Sequence, residues 1–110
     1  NGVYLSNQAL PQIEAAGVKA RIVDTRWLSP LPKEALTAAV AGCKNILIVD
    51  ETRHSGGVAE ALMAHFHVAA PGVPLARLTA EDSFIATGPA YAATMPSSVQ
   101  IVAAAKGLVK

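Results

Sequence analysis

The stretch that decides the fold is NILIVDETRHSGGVAEA, residues 45 to 61. It begins with an unbroken aliphatic run, Ile46 to Val49, which is typical of a β-strand covered on both faces. Two acids follow the run and indicate that the strand leaves the core there, because unpaired carboxylates are costly inside a protein. Gly56 and Gly57 then allow a sharp turn before a helical pattern starts at Val58. The stretch therefore predicts half of a parallel crossover unit, with its strand in the middle of a sheet and function at the loop that follows.

Composition limits the classes of protein to which the chain can belong. Its 110 residues, 52% of them hydrophobic, suit one domain with its own core. The net charge is +1 and the basic residues are scattered along the sequence, so no concentrated positive patch is predicted. We therefore expect no nucleic-acid partner and no membrane partner. Cys43 is the single cysteine and is most simply a small apolar residue, which favours a reducing compartment. Because no apolar stretch has the length of a membrane span and the N-terminus does not resemble a signal peptide, we expect a cytoplasmic protein.

The residues before the central run predict a helix, a strand and a second helix. Apolar residues recur at helical spacing over residues 5 to 16, and Gly17 is placed to end that helix. Pro11 interrupts the pattern and predicts either a kink or a helix that begins near it. Residues 19 to 24 predict a strand. The second helix is expected from Lys33 to Ala41, after two prolines that exclude regular structure before it.

The residues after the central stretch predict three further elements joined by an irregular loop. A helix is expected from Val58 to about Val68, followed by a strand from Leu75 to Thr79 in which residues alternate between the two faces. The segment from Glu81 to Pro89 predicts an ordered loop. Ser97 and Gln100 match a capping box, so the chain should close with a helix that starts there.

The three histidines are the first residues to consider for a catalytic or metal site. His65 and His67 lie two apart on a predicted helix, so their side chains point to nearly opposite sides and cannot bind one metal ion. His54 lies in the loop after the central strand, close to Asp50 and Glu51, and a histidine beside carboxylates can act as an acid or a base. No nucleophile elbow of the G-x-S-x-G kind accompanies it. A loop or interface role for His54 is therefore the stronger prediction.

Two further patterns share part of the residues of a phosphate site. Gly56 and Gly57 at a helix start could hold a phosphate on free N–H groups, yet neither G-x-G-x-x-G nor the P-loop pattern is present. A turn explains the pair better. Asp24 and Asp50, both at predicted strand ends, are similar to the phosphoacceptor pocket of response regulators. That pocket also needs a lysine after its last strand, whereas the late lysines here lie in the terminal helix.

Three segments, in this order, resemble the C-terminal domain of the transketolase superfamily. They are VDTRWLSPLP at residues 23 to 32, IVDETRHSGGVAE at residues 48 to 60, and AEDSFI at residues 80 to 85. Within the superfamily they most resemble the β-type part of the decarboxylating component of 2-oxo acid dehydrogenase complexes, such as the pyruvate and branched-chain enzymes. The resemblance covers nearly the whole chain.

The resemblance implies an α/β fold, a three-layer α/β/α sandwich with a mostly parallel (mixed) sheet, formed by residues 1 to 110 as a single domain. The chain opens on a helical pattern at Asn1, although strand precedes helix downstream, so we expect a piece of a longer chain. The first strand of the sandwich would then precede Asn1.

The resemblance also implies a parent enzyme that decarboxylates a 2-oxo acid on thiamine diphosphate with magnesium and transfers the acyl group to a lipoyl carrier. The cofactor motif of the family, G-D-G followed by an asparagine, is not in this sequence. The catalytic histidines of the family belong to earlier domains. We therefore expect no catalytic, cofactor-binding or metal-binding residue here, and an isolated chain that binds no cofactor and is inactive.

The role that the resemblance assigns to this domain is assembly. It implies packing against a twin in a dimer, contact with other subunits or domains of the same enzyme, and a surface for the subunit-binding domain of the acyltransferase. A transketolase or deoxyxylulose-phosphate synthase parent remains an alternative, as does an independent small-ligand or phosphoryl-receiver module. The candidate interface or docking residues are those around the central loop: Asp50, Glu51, Arg53, His54, Gly56 and Gly57.

Overall fold

Helices lie on both faces of a small parallel sheet. The computed structural model describes residues 1 to 110. Strands β1 (Ile46–Arg53) and β2 (Leu75–Ala80) pair in parallel, with Ile46 opposite Leu75, and helix α3 (Val58–Ala69) connects them. This β1–α3–β2 unit confirms the predicted parallel crossover. The elements in order are α1 (Gly2–Ala15), α2 (Lys33–Ala39), β1 (Ile46–Arg53), α3 (Val58–Ala69), β2 (Leu75–Ala80), a 3-10 helix (Gly88–Ala93) and α4 (Ser98–Leu108).

The sheet separates two apolar clusters, because successive residues of a strand point to opposite faces. On one face Ile46 and Ile48 pack with residues of α2 and α3, namely Leu36, Ala59, Leu62 and Phe66. On the other face Leu47 and Val49 pack against the cluster of Ala9, Ile13 and Ile101 from α1 and α4. Helices thus cover both faces of the aliphatic run, which confirms the predicted α/β architecture.

Two helix ends form as the sequence predicts, whereas α2 ends at Ala39 rather than at the predicted Ala41. The Ser97 hydroxyl accepts from the N–H of Gln100 at 3.2 Å, and the N–H of Ser97 donates to Oε1 of Gln100 at 2.9 Å, which completes the capping box of α4. At the end of α1, Gly17 has a φ of +83° and Val18 donates to the carbonyl of Ile13 at 3.3 Å. Both helix limits are therefore set by local residues.

Pro11 does not delay the start of α1, which begins at Gly2, so that part of the prediction is wrong. A proline inside a helix leaves the carbonyl four residues earlier, here that of Asn7, without its N–H donor. Asn7 and Pro11 are both exposed, so water can satisfy that carbonyl. Ala9 and Ile13 on the opposite side are buried and hold the helix against the sheet on both sides of Pro11.

The predicted strand at residues 19 to 24 does not form, and β1 is not in the middle of a sheet. Residues 19 to 24 make no backbone hydrogen bond, and a strand needs a neighbouring ladder to satisfy its N–H and C=O groups. The sheet has two strands, so β1 is paired on one side alone. Both predictions are therefore wrong for this chain, and for the same reason: no strand pairs with the second edge of β1.

The core is small for a chain of this length. Eleven of 110 residues are buried, none of them polar or charged, and no large side chain is completely enclosed. The loop before α4 is exposed over all of residues 81 to 93. None of the helices combines the length and the apolar character required to cross a membrane.

Candidate functional site

The six predicted docking residues lie at the carboxyl end of β1 and in the loop that joins it to α3, and Asp50 stabilises this junction. Its Oδ2 accepts from the N–H of Ala59 at 2.8 Å and from the hydroxyl of Thr52 at 2.7 Å. Its Oδ1 accepts from the N–H of Thr52 at 2.9 Å. A carboxylate at a helix start satisfies free N–H groups and interacts favourably with the helix dipole. Asp50 therefore acts as a cap for α3, supplied by the preceding strand.

His54 connects the loop to β2 through both of its ring nitrogens. The hydroxyl of Thr79 donates to the carbonyl of Ala80, so it accepts from Nδ1 of His54 at 3.0 Å. Nη2 of Arg77 lies 2.8 Å from Nε2 of His54. An arginine side chain has donors and no acceptor, so Nε2 accepts this hydrogen bond. Arg77 also donates to the carbonyl of His54 at 2.9 Å. Both ring nitrogens of His54 are thus held in contacts with β2, and neither is free for proton transfer to a substrate.

Ser55 and Asp82 hold the loop to the segment after β2. The N–H and the hydroxyl of Ser55 donate to the two carboxylate oxygens of Asp82 at 2.8 Å and 2.6 Å. These two hydrogen bonds, the hydroxyl first, hold the pKa of the Asp82 carboxyl below its ordinary value of 3.8. The ends of the two parallel strands are joined by this pair and by the His54 contacts.

The glycine pair provides a tight turn. Gly56 has a φ of +68°, a conformation that other residues rarely adopt. At Gly57, a Cβ would clash with the Thr52 hydroxyl and would lie 2.7 Å from the carbonyl oxygen of Arg53. An anion that approached the start of α3 would meet the Asp50 carboxylate, which repels it. The geometry therefore favours the turn interpretation over a phosphate site.

Glu51 and Arg53 complete the predicted docking set at the end of β1. Oε2 of Glu51 lies 3.6 Å from the amino group of Asn1, so the start of the chain is beside the carboxyl end of β1. The register between β1 and β2 shifts between Val49 and Arg53. Arg53, His54 and the two residues that follow are exposed and could contact a partner.

The remaining residues singled out from the sequence lie away from this loop. Nε2 of His65 is 3.0 Å from the hydroxyl of Thr37, which links α3 to α2, whereas His67 is exposed. The two side chains therefore lie on different sides of α3, as expected for residues two apart on a helix. Cys43 is half-buried. No three histidine, cysteine or acidic side chains lie together anywhere in the structure.

Sequence reasoning missed the part of this site that comes from β2. Arg77, Thr79 and Asp82 contact the loop, yet each lies 23 to 27 residues from its partner along the chain. No local motif marks such contacts. The usable signal is topological, because the carboxyl ends of two parallel strands meet at one edge of a sheet, so polar residues there converge.

This fold agrees with the comparison with known families. A family model described as the C-terminal domain of transketolase matches residues 1 to 101. The chain belongs to this family. It is 31% identical over 87 residues to the 1-deoxy-D-xylulose-5-phosphate synthase of Chlorobaculum tepidum, covering 76% of this chain and 14% of that protein. The transketolase C-terminal domain therefore extends over almost all of the chain.

Two further relatives represent two kinds of enzyme. The 1-deoxy-D-xylulose-5-phosphate synthase of Halothermothrix orenii is 27% identical over 88 residues, which are 79% of this chain and 14% of the relative. The β subunit of the pyruvate dehydrogenase E1 component of Bacillus subtilis is 24% identical over 107 residues, which are 94% of this chain and 33% of the relative. This transketolase C-terminal domain thus spans 14% to 33% of the length of these three relatives.

The titration of Asp82 tests the contact between the two strand ends. In an NMR titration that follows the Asp82 carboxyl carbon, we expect a midpoint below 3.8. Because this pKa is lowered in the folded state, the contact contributes stability above pH 3.8, and that contribution is lost as the pH falls through the lowered midpoint.

The Ser55→Ala variant should move the midpoint up towards 3.8, because it removes the hydroxyl that contributes most to the shift. Ser83→Ala is the matched control, since the Ser83 hydroxyl donates to the Phe84 carbonyl rather than to Asp82. An unchanged Asp82 midpoint in Ser55→Ala would contradict the interpretation.

Proposed function

We propose that this chain is the C-terminal assembly domain of a thiamine diphosphate-dependent enzyme, and that it holds subunits together rather than reacting with substrate. The observation that supports this role is the loop of residues 81 to 93, which is exposed throughout although it is partly apolar. Phe84 is 100% exposed, Ile85 61% and Tyr91 54%. Large apolar side chains grouped in this way are typical of protein interfaces, and aromatic residues frequently dominate binding there.

The occupant that we propose for this loop is a second copy of the chain. Aromatic side chains bury a large apolar area when two proteins associate. In the single chain no helix or strand packs over residues 81 to 93, so this area is available to a partner. Trp27 and Leu28, in the connection before α2, are also exposed, at 63% and 54%. A symmetric dimer would bury the same patch on both copies, which is the commonest arrangement of identical subunits.

The residues of this chain do not fit the cofactors that the resemblance implies for the whole enzyme. Magnesium with a diphosphate needs several oxygen ligands, and no three metal-binding side chains lie together here. The carboxylates of Asp50 and Asp82 are engaged in hydrogen bonds that hold the loop. We therefore assign thiamine diphosphate and magnesium to parts of the parent enzyme outside this chain, and no catalytic step to its residues.

For the parent we propose the β-type part of a 2-oxo acid dehydrogenase, which decarboxylates its substrate oxidatively and transfers the acyl group to a lipoyl carrier. The match to the pyruvate dehydrogenase β subunit covers 94% of this chain and supports this parent. A 1-deoxy-D-xylulose-5-phosphate synthase is the second candidate, supported by its 31% identity. Assays of the longer protein for either activity distinguish the two.

With a 2-oxo acid dehydrogenase as parent, the second proposed partner is the subunit-binding domain of the acyltransferase. The exposed residues Arg53 to Gly56, at the end of β1, provide the surface for it. Their backbone is held by Asp82 and Arg77, so a partner would meet a preformed loop. A rigid loop loses little conformational entropy on binding.

Sedimentation velocity of the 110-residue chain over a range of concentrations tests the assembly role. We expect the chain to dimerise, and Phe84→Asp to remain monomeric because it places a charge in the apolar interface. Val68→Asp is the control, since Val68 is 79% exposed but lies on α3, outside the loop. This variant should dimerise like the unmodified chain.

Three results would contradict the proposal. The first is a chain that stays monomeric at every concentration, and the second is a dimer that Phe84→Asp does not affect. The third is tight binding of thiamine diphosphate to this chain in calorimetry, which would place the cofactor on residues that we assign to assembly.

A further inference from the structure

The ring of His54 has one nitrogen that donates a hydrogen bond and one that accepts a hydrogen bond. Nδ1 lies 3.0 Å from the hydroxyl of Thr79, whose own proton is donated to the carbonyl of Ala80, so Nδ1 is the donor. Nε2 lies 2.8 Å from Nη2 of Arg77, and a guanidinium has no acceptor, so Nε2 accepts. The contact with Arg77 therefore requires that Nε2 carries no proton.

A second proton on the ring would remove the acceptor from this contact. Nε2 would present an N–H to the N–H of Arg77, and two positive charges would face each other without an acceptor between them. Arg77 is the less mobile of the two, because its side chain is only 21% exposed and also donates to the carbonyl of His54 at 2.9 Å. His54 is exposed, so its ring is the group that can move away.

Charged side chains lie on each element around His54. They are Asp50, Glu51 and Arg53 on β1, Glu60 on α3, Arg77 on β2, and Asp82 in the segment after β2. Asp50 is engaged by the start of α3, and Glu51 lies beside the amino group of the first residue. Glu60 pairs with Arg77, whose Nη1 lies 3.7 Å from Oε1. Asp82 is therefore the acid with which a protonated His54 ring would pair.

The carboxylate of Asp82 has the capacity for this additional hydrogen bond. Each of its oxygens accepts one hydrogen bond from Ser55, whereas a carboxylate has about four lone-pair sites in total. After these two hydrogen bonds, the positive charge of His54 also lowers the pKa of the Asp82 carboxyl, so the two groups interact. Because that pKa lies below 3.8, Asp82 is ionised wherever an ordinary histidine gains its second proton.

We propose that His54 is a pH-dependent switch, in which a proton taken up from solvent on Nε2 detaches the ring from Arg77 and transfers it to the Asp82 carboxylate. The contact with Arg77 stabilises the loop above this protonation step and is lost as the pH falls through it. Above the step the ring is held against β2, and below it the ring adds a positive charge to the loop. The consequence rests on the proposed function of residues 53 to 56 as a docking surface, because a partner would meet a different surface in each state.

NMR of the 110-residue chain at about pH 8 and about pH 5, which bracket the titration of an ordinary histidine, tests the switch without any partner. We expect the nuclear Overhauser effect between the His54 ring and the Thr79 methyl group to be present at the higher pH and lost at the lower pH. The Nη2 signal of Arg77 should shift with the same midpoint as the ring. The Asp82 carboxyl carbon should show a step at this midpoint, separate from its own titration below 3.8.

His54→Gln is the variant that removes the switch, because a glutamine side chain has a donor and an acceptor but does not titrate. Its Arg77 and Asp82 signals should be the same at both pH values. His67→Gln is the matched control, since His67 is exposed on α3 and its replacement should leave the response of Arg77 unchanged.

Three results would overturn the proposal. They are a His54–Thr79 contact that persists while the ring gains its proton, a ring that gains no proton between the two pH values, and a response of Arg77 that survives in His54→Gln. None of these results depends on a partner or on a second copy of the chain. Failure of the switch is therefore distinguishable from failure of the assembly role, which sedimentation measures separately.

Discussion

Phe66→Ala is expected to lower the free energy of unfolding by about 3–5 kcal/mol, the usual cost of removing a buried aromatic side chain. Phe66 is 4% exposed and packs from α3 against Ile48 and Leu62 in the larger cluster. Because the larger cluster has six buried residues, Phe66 supplies a large share of its apolar volume. Small domains are stable by about 5–15 kcal/mol, so much of the total would be lost. Urea unfolding followed by circular dichroism measures the change.

The matched control for this prediction is His67→Ala, the next residue on the same helix. His67 is exposed, so its removal should change the free energy of unfolding by no more than about 0.5 kcal/mol. Similar losses in the two variants would show that α3 does not present Phe66 to the core. The assignment of the α2–α3 side as the principal apolar layer would then be wrong.

Gly57→Ala is expected to have the second large effect, a loss of about 1–3 kcal/mol, as is usual when a group is forced into a filled space. The new Cβ would clash with the hydroxyl of Thr52, which itself donates to Asp50. Relief requires the carbonyl of Arg53 or the Asp50 cap of α3 to move. We therefore also expect the amide of Ala59 to exchange faster, because it loses its carboxylate acceptor.

Gly107→Ala provides the control with the same chemical change. Gly107 lies in α4, and a Cβ there would meet no atom within 4 Å. Alanine favours a helix over glycine by up to about 1 kcal/mol, so this variant should be neutral or slightly more stable. Urea unfolding of both variants decides the matter, and a Gly57→Ala chain as stable as Gly107→Ala would contradict the tight-turn interpretation.

Strand β1 has faces that its residues predict and a place in the sheet that they do not. The aliphatic run was enough to predict a strand with helices on both faces, because each face needs its own apolar side chains. The position of that strand in the sheet was not predictable from the run, since a strand at an edge can carry the same residues. The same limit explains residues 19 to 24, whose composition favours a strand although no ladder partner is present.

The candidate site shows a similar division. The sequence placed Asp50, His54 and the glycine pair in one functional loop, and they do lie together at the carboxyl end of β1. It could not show that Asp50 caps α3 or that both nitrogens of His54 are engaged. These contacts depend on where β2 and α3 lie. Because of them, His54 is a structural part of a preformed loop rather than a catalytic acid–base group.

Local patterns in the amino-acid sequence were sufficient for the crossover unit, the capping box of α4 and the end of α1 at Gly17. Each of these depends on residues within a few positions of one another, so periodicity and cap chemistry determine it. The partners of His54 and Ser55, the open edge of β1 and the exposed loop before α4 depend on contacts between distant segments. Such contacts arise when the chain packs its apolar faces together, and the residues at either end carry no local sign of them.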